Sequence, residues 1–431
     1  MSLSTNIAAH IRWRGIFFLI QFLVTLLLAR TLGPANGGHF FLLINDLSLL
    51  ILILSLSMES ALVYLGASGQ IYFNTLYLIT IIWTSIATTL TLALLFLIPH
   101  NFWQLKDVPW TIIYLTSTIL TNFLSALYQV RKDFISYNKI IALVYLGLLV
   151  LLIAYDKGLL QQVKIINADT IGNAYFITIA FQSIILLVWG SSHWKMDRFP
   201  LPTGKQWSLL FQYSIKAFAA NFLFFLVYRI DYWFVDHYCA DAALGIYIQA
   251  SKLAQAFILI PAFISTVLFP HTAEGNLQKN INPILQISRM ILFIYSVGFI
   301  VLILLGNWLF PFFYGTVYAG MEIIFSALVP GILALSIQTI LASWFAGTNE
   351  VGVNIKGAFL ALVNIVLLDW WWIPLFGIIG AAWASSIGYI IYFLFEYFNF
   401  KRRNEFKSQD FFMIQGKDIK DLLLKIKSAI R

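Results

Sequence analysis

The chain has little cysteine and little charge. Cys239 is its only cysteine, which excludes an intrachain disulfide and a CxxC zinc or redox site. The six histidines show no HExxH or other ligand spacing, so the sequence predicts no metal site. Charged residues make up only 11% of the chain and hydrophobic residues 60%. Because one soluble core cannot bury that much apolar surface in 431 residues, the composition predicts a polytopic membrane protein.

Long apolar runs set the predicted architecture. A helix needs about 20 apolar residues to cross a bilayer core, and that window predicts an all-α protein of about twelve transmembrane helices. Short connections with glycine and proline separate the runs. The predicted domains are an N-terminal lobe, 1-200, a C-terminal lobe, 201-400, and a basic amphipathic cytoplasmic tail, 401-431. The predicted helices lie near 11-32, 39-65, 76-98, 109-129, 138-156, 172-190, 208-236, 242-268, 286-306, 320-345, 352-373 and 377-399.

The basic residues indicate an orientation rather than a nucleic-acid partner. Of the 27 lysines and arginines, 20 lie in segments on the same side as the N-terminus and four on the other side. This asymmetry predicts that both termini are cytoplasmic. The tail segment 417-431 places isoleucines and leucines on one helical face and lysines on the other. We expect it to lie on anionic membrane lipids.

An internal repeat with an offset of 207 residues relates the two halves. It sets Leu27–Asn45 beside Phe234–Lys252 and aligns Gly38 with Gly245. Six predicted spans separate the copies, so the repeats share one orientation, as in transporters whose symmetry axis follows the membrane normal. The sequence therefore predicts two pseudo-symmetric six-helix lobes.

Polar side chains inside the spans define the candidate site. Lys216, Arg229 and Lys252 lie within predicted helices, where an ionised side chain costs about 2.5–3.5 kcal/mol and needs a cavity or a partner. Salt bridges, snorkelling to the interface and a cationic cavity all remain open. A cationic cavity would attract an anionic cargo such as phosphate. Asp369 lies near an outer helix end, where a solvated carboxylate is expected.

Polar stripes accompany these charges. Asn45 and Glu59 share one face of the second predicted helix, and Gln249 and Lys252 belong to a polar face of the eighth. Such stripes act as helix-packing contacts or line a shared polar cavity. The first lobe has no deep lysine, so we expect the positive charge to be concentrated in the second lobe.

Four stretches carry a family resemblance across the chain to about Phe400. With them, the chain resembles the polysaccharide transporter (O-antigen flippase) family of the multidrug/oligosaccharidyl-lipid/polysaccharide exporter superfamily. Each stretch is a loose pattern, and what is specific to the family is the order of the stretches and their spacing relative to the helices. The stretches are LARTLGPANGGHF after the first helix, RIDYWFVDHYCADAALGIYIQASKLAQ across the seventh and eighth, LFPFFYGTVYAG before the tenth and IPLFGIIGAAWASSIGY opening the twelfth.

This resemblance implies a transporter rather than an enzyme, with two lobes around a central cavity in the bacterial inner membrane. Its implied activity moves a polyprenyl-diphosphate-linked oligosaccharide, an O-antigen or other surface polysaccharide repeat unit, to the outer leaflet by alternating access. Glycosyltransferases and a polysaccharide polymerase are expected partners. No cofactor is expected beyond a coupling Na⁺ or H⁺. The candidate substrate-binding residues are Arg30, Asn45, Lys216, Arg229, Gln249 and Lys252, and the candidate ion-coupling residues are Asp46, Glu59 and Asp231.

Three other classes of protein are weighed against a flippase. A multidrug and toxin extrusion type cation antiporter needs a buried carboxylate, and the first helix offers only Gln21 as a strongly polar group between Gly15 and Ala29. A membrane glycosyltransferase or polysaccharide polymerase needs an acid or base in a sizeable loop, where the candidate outer loops supply only Asp107. A phospholipid scramblase or a structural membrane protein is the third alternative.

Overall fold

The computed structural model describes residues 3–97, 108–158, 168–194, 200–273, 281–416 and 418. All regular structure in these ranges is helical. The helices are α1 (Leu3–Ser55), α2 (Met58–Ala67), α3 (Phe73–Leu97), α4 (Val108–Val130), α5 (Phe134–Asp156), α6 (Ala168–His193), α7 (Gly204–Tyr238), α8 (Asp241–Ala256), α9 (Leu259–Ala273), α10 (Asn282–Tyr314), α11 (Met321–Gly347), α12 (Val351–Arg403) and α13 (Ser408–Phe412), with a 3₁₀ turn at Thr316–Tyr318.

The predicted number of spans agrees with these helices. Ten helical stretches in the described residues are long and apolar enough to cross a membrane. Two of them belong to α1 and α12, each 53 residues long and interrupted by non-helical backbone at Gly33 and Gly377. Counting both sides of each interruption gives the twelve predicted spans. The prediction of an all-α multi-pass membrane protein is confirmed.

Glycine makes both interruptions possible. Gly33 has φ 72° and ψ 172°, and Gly377 has φ 58° and ψ −143°. These angles lie in or near a region of backbone space that is essentially restricted to glycine, because a Cβ would clash with neighbouring backbone atoms. Pro34 follows Gly33 and starts the next helical segment, where its missing N–H leaves no carbonyl unsatisfied.

The first interruption agrees with the register of the internal repeat. Gly33 interrupts α1, and the residue 207 positions later is Ala240, the N-cap of α8. In both copies one helix ends and another starts at this position. The symmetry of complete lobes stays a prediction.

Contacts group the chain into two compact units, Met1–Phe222 and Leu223–Arg431. The boundary lies inside α7, because the first part of this helix packs on the N-terminal unit. Trp207 contacts Trp83 of α3 with ring centroids 6.2 Å apart. Asn221 donates a hydrogen bond of 3.0 Å from Nδ2 to Ser57 Oγ. The later residues of α7 belong to the C-terminal unit.

Small residues allow α11 to pack closely on α12 in the C-terminal unit. A Cβ on Gly331 would collide with the backbone of Ser386. Ser386 Oγ donates a hydrogen bond of 2.6 Å to the Ala327 carbonyl. Glycine and serine at a helix crossing let the backbones approach and satisfy polar groups away from water. This contact fixes the last span of α12, which carries part of the site described below.

The beginning of the tail packs against the C-terminal unit. The helix α12 extends to Arg403, and Phe411 of α13 is fully buried. Buried Arg289 of α10 holds the Asp418 carboxylate with hydrogen bonds of 2.8 Å from Nε and 3.0 Å from Nη2. A buried pair with two parallel hydrogen bonds forms only when the guanidinium and the carboxylate are held in a fixed relative orientation. Apart from Asp418, the amphipathic segment 417-431 lies outside the described residues.

The two helix-breaking glycines give a test of this architecture. We expect Gly33→Ala and Gly377→Ala each to lower the free energy of unfolding by about 1–3 kcal/mol, since alanine is strained at these angles. Neither glycine has an atom within 4 Å of the added Cβ, so the loss measures backbone strain alone. The measurement is thermal unfolding of the purified protein in one detergent.

Gly298→Ala is the matched control. Gly298 lies inside α10, also with open space around an added Cβ, and alanine there should be neutral or slightly stabilising. Equal melting temperatures for all three variants would contradict the explanation.

Candidate functional site

A buried carboxylate joins three helices of the C-terminal unit. Asp231 of α7 is 1% exposed. Its Oδ2 accepts a hydrogen bond from the Tyr247 hydroxyl of α8 and another, of 2.9 Å, from Ser385 Oγ of α12. Its Oδ1 accepts none from the described residues. Since an unsatisfied buried oxygen is costly, this atom is available to a proton, a cation or a ligand.

A second carboxylate lies beside the first. Asp369 of α12 is 0% exposed, and neither of its oxygens has a hydrogen-bond partner among the described residues. It interacts electrostatically with Asp231 and Tyr247. Two carboxylates at close range in a low-dielectric environment repel each other, and a cation or proton shared between them relieves that repulsion.

The expectation that Asp369 is solvated is wrong, and the interruption of α12 explains why. A continuous helix would separate Asp369 from Ser385 by roughly 24 Å, at about 1.5 Å for each residue. Both residues nevertheless interact with Asp231. The chain changes direction at Gly377, so two successive spans place their polar groups on the same carboxylate.

Arg229 is held by an aromatic residue rather than by an acid. Its Nη1 donates a hydrogen bond to the Tyr232 hydroxyl, and its guanidinium carbon lies 5.1 Å from the centroid of the Tyr232 ring. Tyr232 in turn donates a hydrogen bond of 3.2 Å to Ser251 Oγ. In the part of the chain that the structure describes, no carboxylate forms an ion pair with Arg229. Its positive charge is oriented but not neutralised at close range.

The predicted polar face of α8 faces the same region. Lys252 is partly buried and interacts electrostatically with Arg229. Gln249 is 1% exposed, and neither atom of its amide finds a hydrogen-bond partner among the described residues. Gln255 Nε2 donates to the Tyr228 carbonyl at 3.3 Å and to Ser251 Oγ at 3.1 Å. The face therefore carries one amine and one amide.

Several residues near the site were not predicted from the sequence. Asp369, Ser385 and Glu396 were not predicted as site residues, and Glu396 is a further buried carboxylate, which accepts a hydrogen bond of 3.0 Å from Gln338 Nε2. The sequence did distinguish Tyr247. The internal repeat aligns it with Phe40, so the second copy has a hydroxyl group where the first has none. Ser385 lies in the stretch IPLFGIIGAAWASSIGY, which marks the segment but not the residue, and for Glu396 the sequence offers no signal.

The structure brings together three of the nine predicted site residues, Arg229, Asp231 and Lys252, and Gln249 lies one helical turn before Lys252 on α8. The other five lie in the N-terminal unit, and their roles stay predictions. Lys216 is exposed, and Arg30 forms an ion pair of 3.4 Å with Asp156. Asn45 is buried with its Nδ2 unpartnered by any described residue; Asp46 and Glu59 are partly buried. Among the described residues, no group of three or more His, Cys, Asp or Glu side chains is placed to hold a metal ion.

The hydrogen bond from Tyr247 to Asp231 gives a test of this cluster. We expect Tyr247→Phe to lower the free energy of unfolding by about 1–3 kcal/mol, because it removes a donor from a buried carboxylate. The double variant with Asp231→Asn should lose less free energy of unfolding than the sum of the losses in the two single variants. Thermal unfolding of the four proteins completes the cycle.

Tyr72→Phe removes a hydroxyl from an 80% exposed tyrosine and should leave stability unchanged. Additive losses for Tyr247→Phe and Asp231→Asn would show that the two side chains do not interact.

Solved structures with a similar fold are transporters. One is the lipid II flippase MurJ in an inward closed conformation, with TM-score 0.71, 18% identity, and 94% of this chain and 89% of that chain covered. Another is a MOP superfamily transporter from Pyrococcus furiosus, with TM-score 0.64, 14% identity, and coverage of 93% and 96%. A third is a mutant of the Vibrio cholerae MATE transporter VcmN, with TM-score 0.61, 13% identity, and coverage of 92% and 98%. At these identities the likeness shows the fold, which is that of MOP superfamily transporters.

The sequence itself matches one family. No curated protein matches the chain. The family described as "Polysaccharide biosynthesis protein" matches residues 27–323, which span most of the chain and include α7, α8 and the polar residues that they contribute. The predicted family resemblance is confirmed, and the chain belongs to the polysaccharide biosynthesis protein family.

Proposed function

We propose that the protein is a flippase for a polyprenyl-diphosphate-linked oligosaccharide, a repeat unit of O-antigen or of another surface polysaccharide. It moves this lipid from the cytoplasmic to the outer leaflet of the bacterial inner membrane by alternating access. The observation that carries the proposal is the pair of cations inside membrane-spanning helices, Arg229 and Lys252, which interact with each other. Its proposed partners are the glycosyltransferases that assemble the cargo and the polymerase that consumes it.

The cargo chemistry fits these side chains. A polyprenyl tail is stable in the hydrocarbon, but its diphosphate and sugars would lose their hydration there at high cost. Arg229 presents a planar fork of N–H donors that matches phosphate oxygens, and Lys252 adds a compact charge. Two like charges side by side repel each other, and an anion bound between them removes that repulsion. Membership in a polysaccharide biosynthesis family and the similarity to a lipid II flippase support the same cargo class.

The buried carboxylates supply a site for the driving ion. Asp231 and Asp369 together have three oxygens without a partner among the described residues, and we assign them to bind a transported Na⁺ or H⁺. Arg229 interacts electrostatically with Asp231, so the charge on the carboxylates and the binding of the diphosphate influence each other. Such linkage is reciprocal, so the cargo also changes the affinity for the ion.

A cation antiporter is the second candidate, because Asp231 and Asp369 are buried carboxylates and MATE transporters share this fold. In that function the two carboxylates would bind an organic cation. The adjacent Arg229 and Lys252 would repel such a cargo, which favours the flippase.

Lys252 gives the direct test. In proteoliposomes containing a fluorescent polyprenyl-diphosphate oligosaccharide, we expect Lys252→Gln and Arg229→Gln each to reduce the flipping rate by about tenfold or more, since each removes a charge-assisted contact of about 1.5–3 kcal/mol. Arg229→Lys should retain part of the activity. Lys205→Gln, which removes an exposed lysine at the start of α7, is the control.

Unchanged flipping in both site variants would overturn the proposed phosphate contacts. Transport of a cationic dye by the wild type, without flipping of the labelled lipid, would establish the antiporter instead.

The single cysteine allows the proposed orientation to be tested. In a Cys239→Ser background, we expect Lys157→Cys to react with a membrane-impermeant maleimide added to intact cells. Leu201→Cys should react only after the membrane is permeabilised, because the connection before α7 is predicted to be cytoplasmic. Both positions are exposed, Leu201 by 77%. The opposite labelling pattern would reverse the assigned topology.

A further inference from the structure

A polar pocket lies between α2 and α4 of the N-terminal unit. It has a volume of about 520 Å³, within the range of about 300–1,000 Å³ that is usual for small-molecule sites. Its polar lining comes from Glu59 and Ser60 of α2 and from Asn122, Ser125 and Gln129 of α4. The described lining residues include no lysine, arginine or histidine, so their chemistry differs from that of the Arg229 and Lys252 cluster.

Local backbone geometry forms this pocket. The three α4 residues follow each other at spacings of three and four, which places them on one face of the helix. On the other wall, α1 ends and α2 begins through Leu56 and Ser57, both with positive φ, of 49° and 53°. Two successive residues of this kind are rare outside glycine and are held only where the surrounding structure requires them.

Glu59 gives the strongest sign of a ligand. Its Oε2 is buried and has no hydrogen-bond partner among the described residues. Its place in the first turn of α2 accounts for a negative charge, because the helix dipole favours one there. The position of Glu59 in the helix does not explain why its Oε2 lacks a donor, and it does not explain the polar residues of α4 on the opposite wall of the pocket. A molecule bound in the pocket would supply a donor to this oxygen once the Glu59 side chain turns towards it, and the α4 stripe would hydrogen-bond the same molecule.

The lining selects a class of ligand. Carboxylate, amide and hydroxyl groups can together accept and donate hydrogen bonds, and Val63 and Ala126 add an apolar patch. A sugar ring presents the complementary surface, hydroxyls around its edge and C–H groups on its face. Phosphate is disfavoured because the lining residues that the structure describes include a carboxylate and no cation. The same reasoning disfavours an acidic sugar.

We propose that this pocket is a sugar subsite, which binds a neutral sugar of the lipid-linked glycan. This inference rests on the proposed flippase function. It assigns recognition of the sugar to the N-terminal unit and recognition of the phosphate to the C-terminal unit. It also makes Glu59 a substrate-binding residue rather than an ion-coupling one.

The test compares lipids with and without a sugar. The full chain in nanodiscs is titrated with polyprenyl diphosphate, and with the same lipid carrying N-acetylglucosamine, galactose or glucuronic acid. We expect at least one neutral sugar to raise the affinity about tenfold or more, in line with one or two hydrogen bonds to a charged group. Glucuronic acid should give no increase.

Variants then locate the effect. Glu59→Gln and Asn122→Ala should each remove most of the gain due to the sugar and leave the affinity for bare polyprenyl diphosphate unchanged. Asn122 lies on α4, so this variant remains informative if Glu59→Gln disturbs the start of α2. Gln129→Ala has a matched control in Gln212→Ala, because each glutamine donates from Nε2 to a serine four residues earlier, at 3.4 Å and 3.2 Å. Only Gln129→Ala should weaken binding of the sugar-bearing lipid.

The outcomes separate this inference from the proposed function. Equal affinities for bare and neutral-sugar lipids, both reduced by Lys252→Gln, would overturn the sugar subsite and retain the phosphate site. The same conclusion follows if Glu59→Gln and Asn122→Ala weaken all the lipids equally. Absence of binding for every polyprenyl diphosphate would overturn the flippase proposal itself.

Discussion

Polar groups buried in a membrane-spanning chain must be satisfied by other parts of the protein, because hydrocarbon offers them no hydrogen bonds. Asp231 shows how this constraint organises the C-terminal unit. Tyr247 and Ser385, from two other helices, both donate to one of its oxygens. The same carboxylate keeps its second oxygen without a donor among the described residues. The contacts that stabilise the packing therefore also leave one acceptor of this carboxylate unsatisfied.

Helix interruption makes this arrangement possible. Gly377 lies between Asp369 and Ser385 in sequence, and its backbone conformation brings both residues towards Asp231. At Gly33 the same device ends one span and begins the next, at a position that the internal repeat relates to the N-cap of α8. At Gly377 a chain of long apolar helices thus brings the polar groups of two successive spans together. The proposed cation site depends on that geometry more than on any single acidic residue.

The two units differ in their chemistry. Arg229 and Lys252 lie in the C-terminal unit with two buried carboxylates, whereas the pocket of the N-terminal unit has one carboxylate, two amides and two hydroxyls. A diphosphate-linked sugar also has two chemically different parts, one strongly anionic and one neutral. The proposed division of binding between the units follows from this match.

The amino-acid sequence by itself determined the spans, the interruptions and the polar face of α8. Hydropathy, glycine conformation and helical periodicity are properties of neighbouring residues, so they can be recognised without a structure. Tertiary structure alone decided that Asp369 is buried and that Arg229 is held by a tyrosine rather than by an acid. Tyr247 and Ser385 meet at Asp231 although they are 138 residues apart. Contacts over such separations depend on how helices pack, and local composition does not encode which partner a buried charge will find.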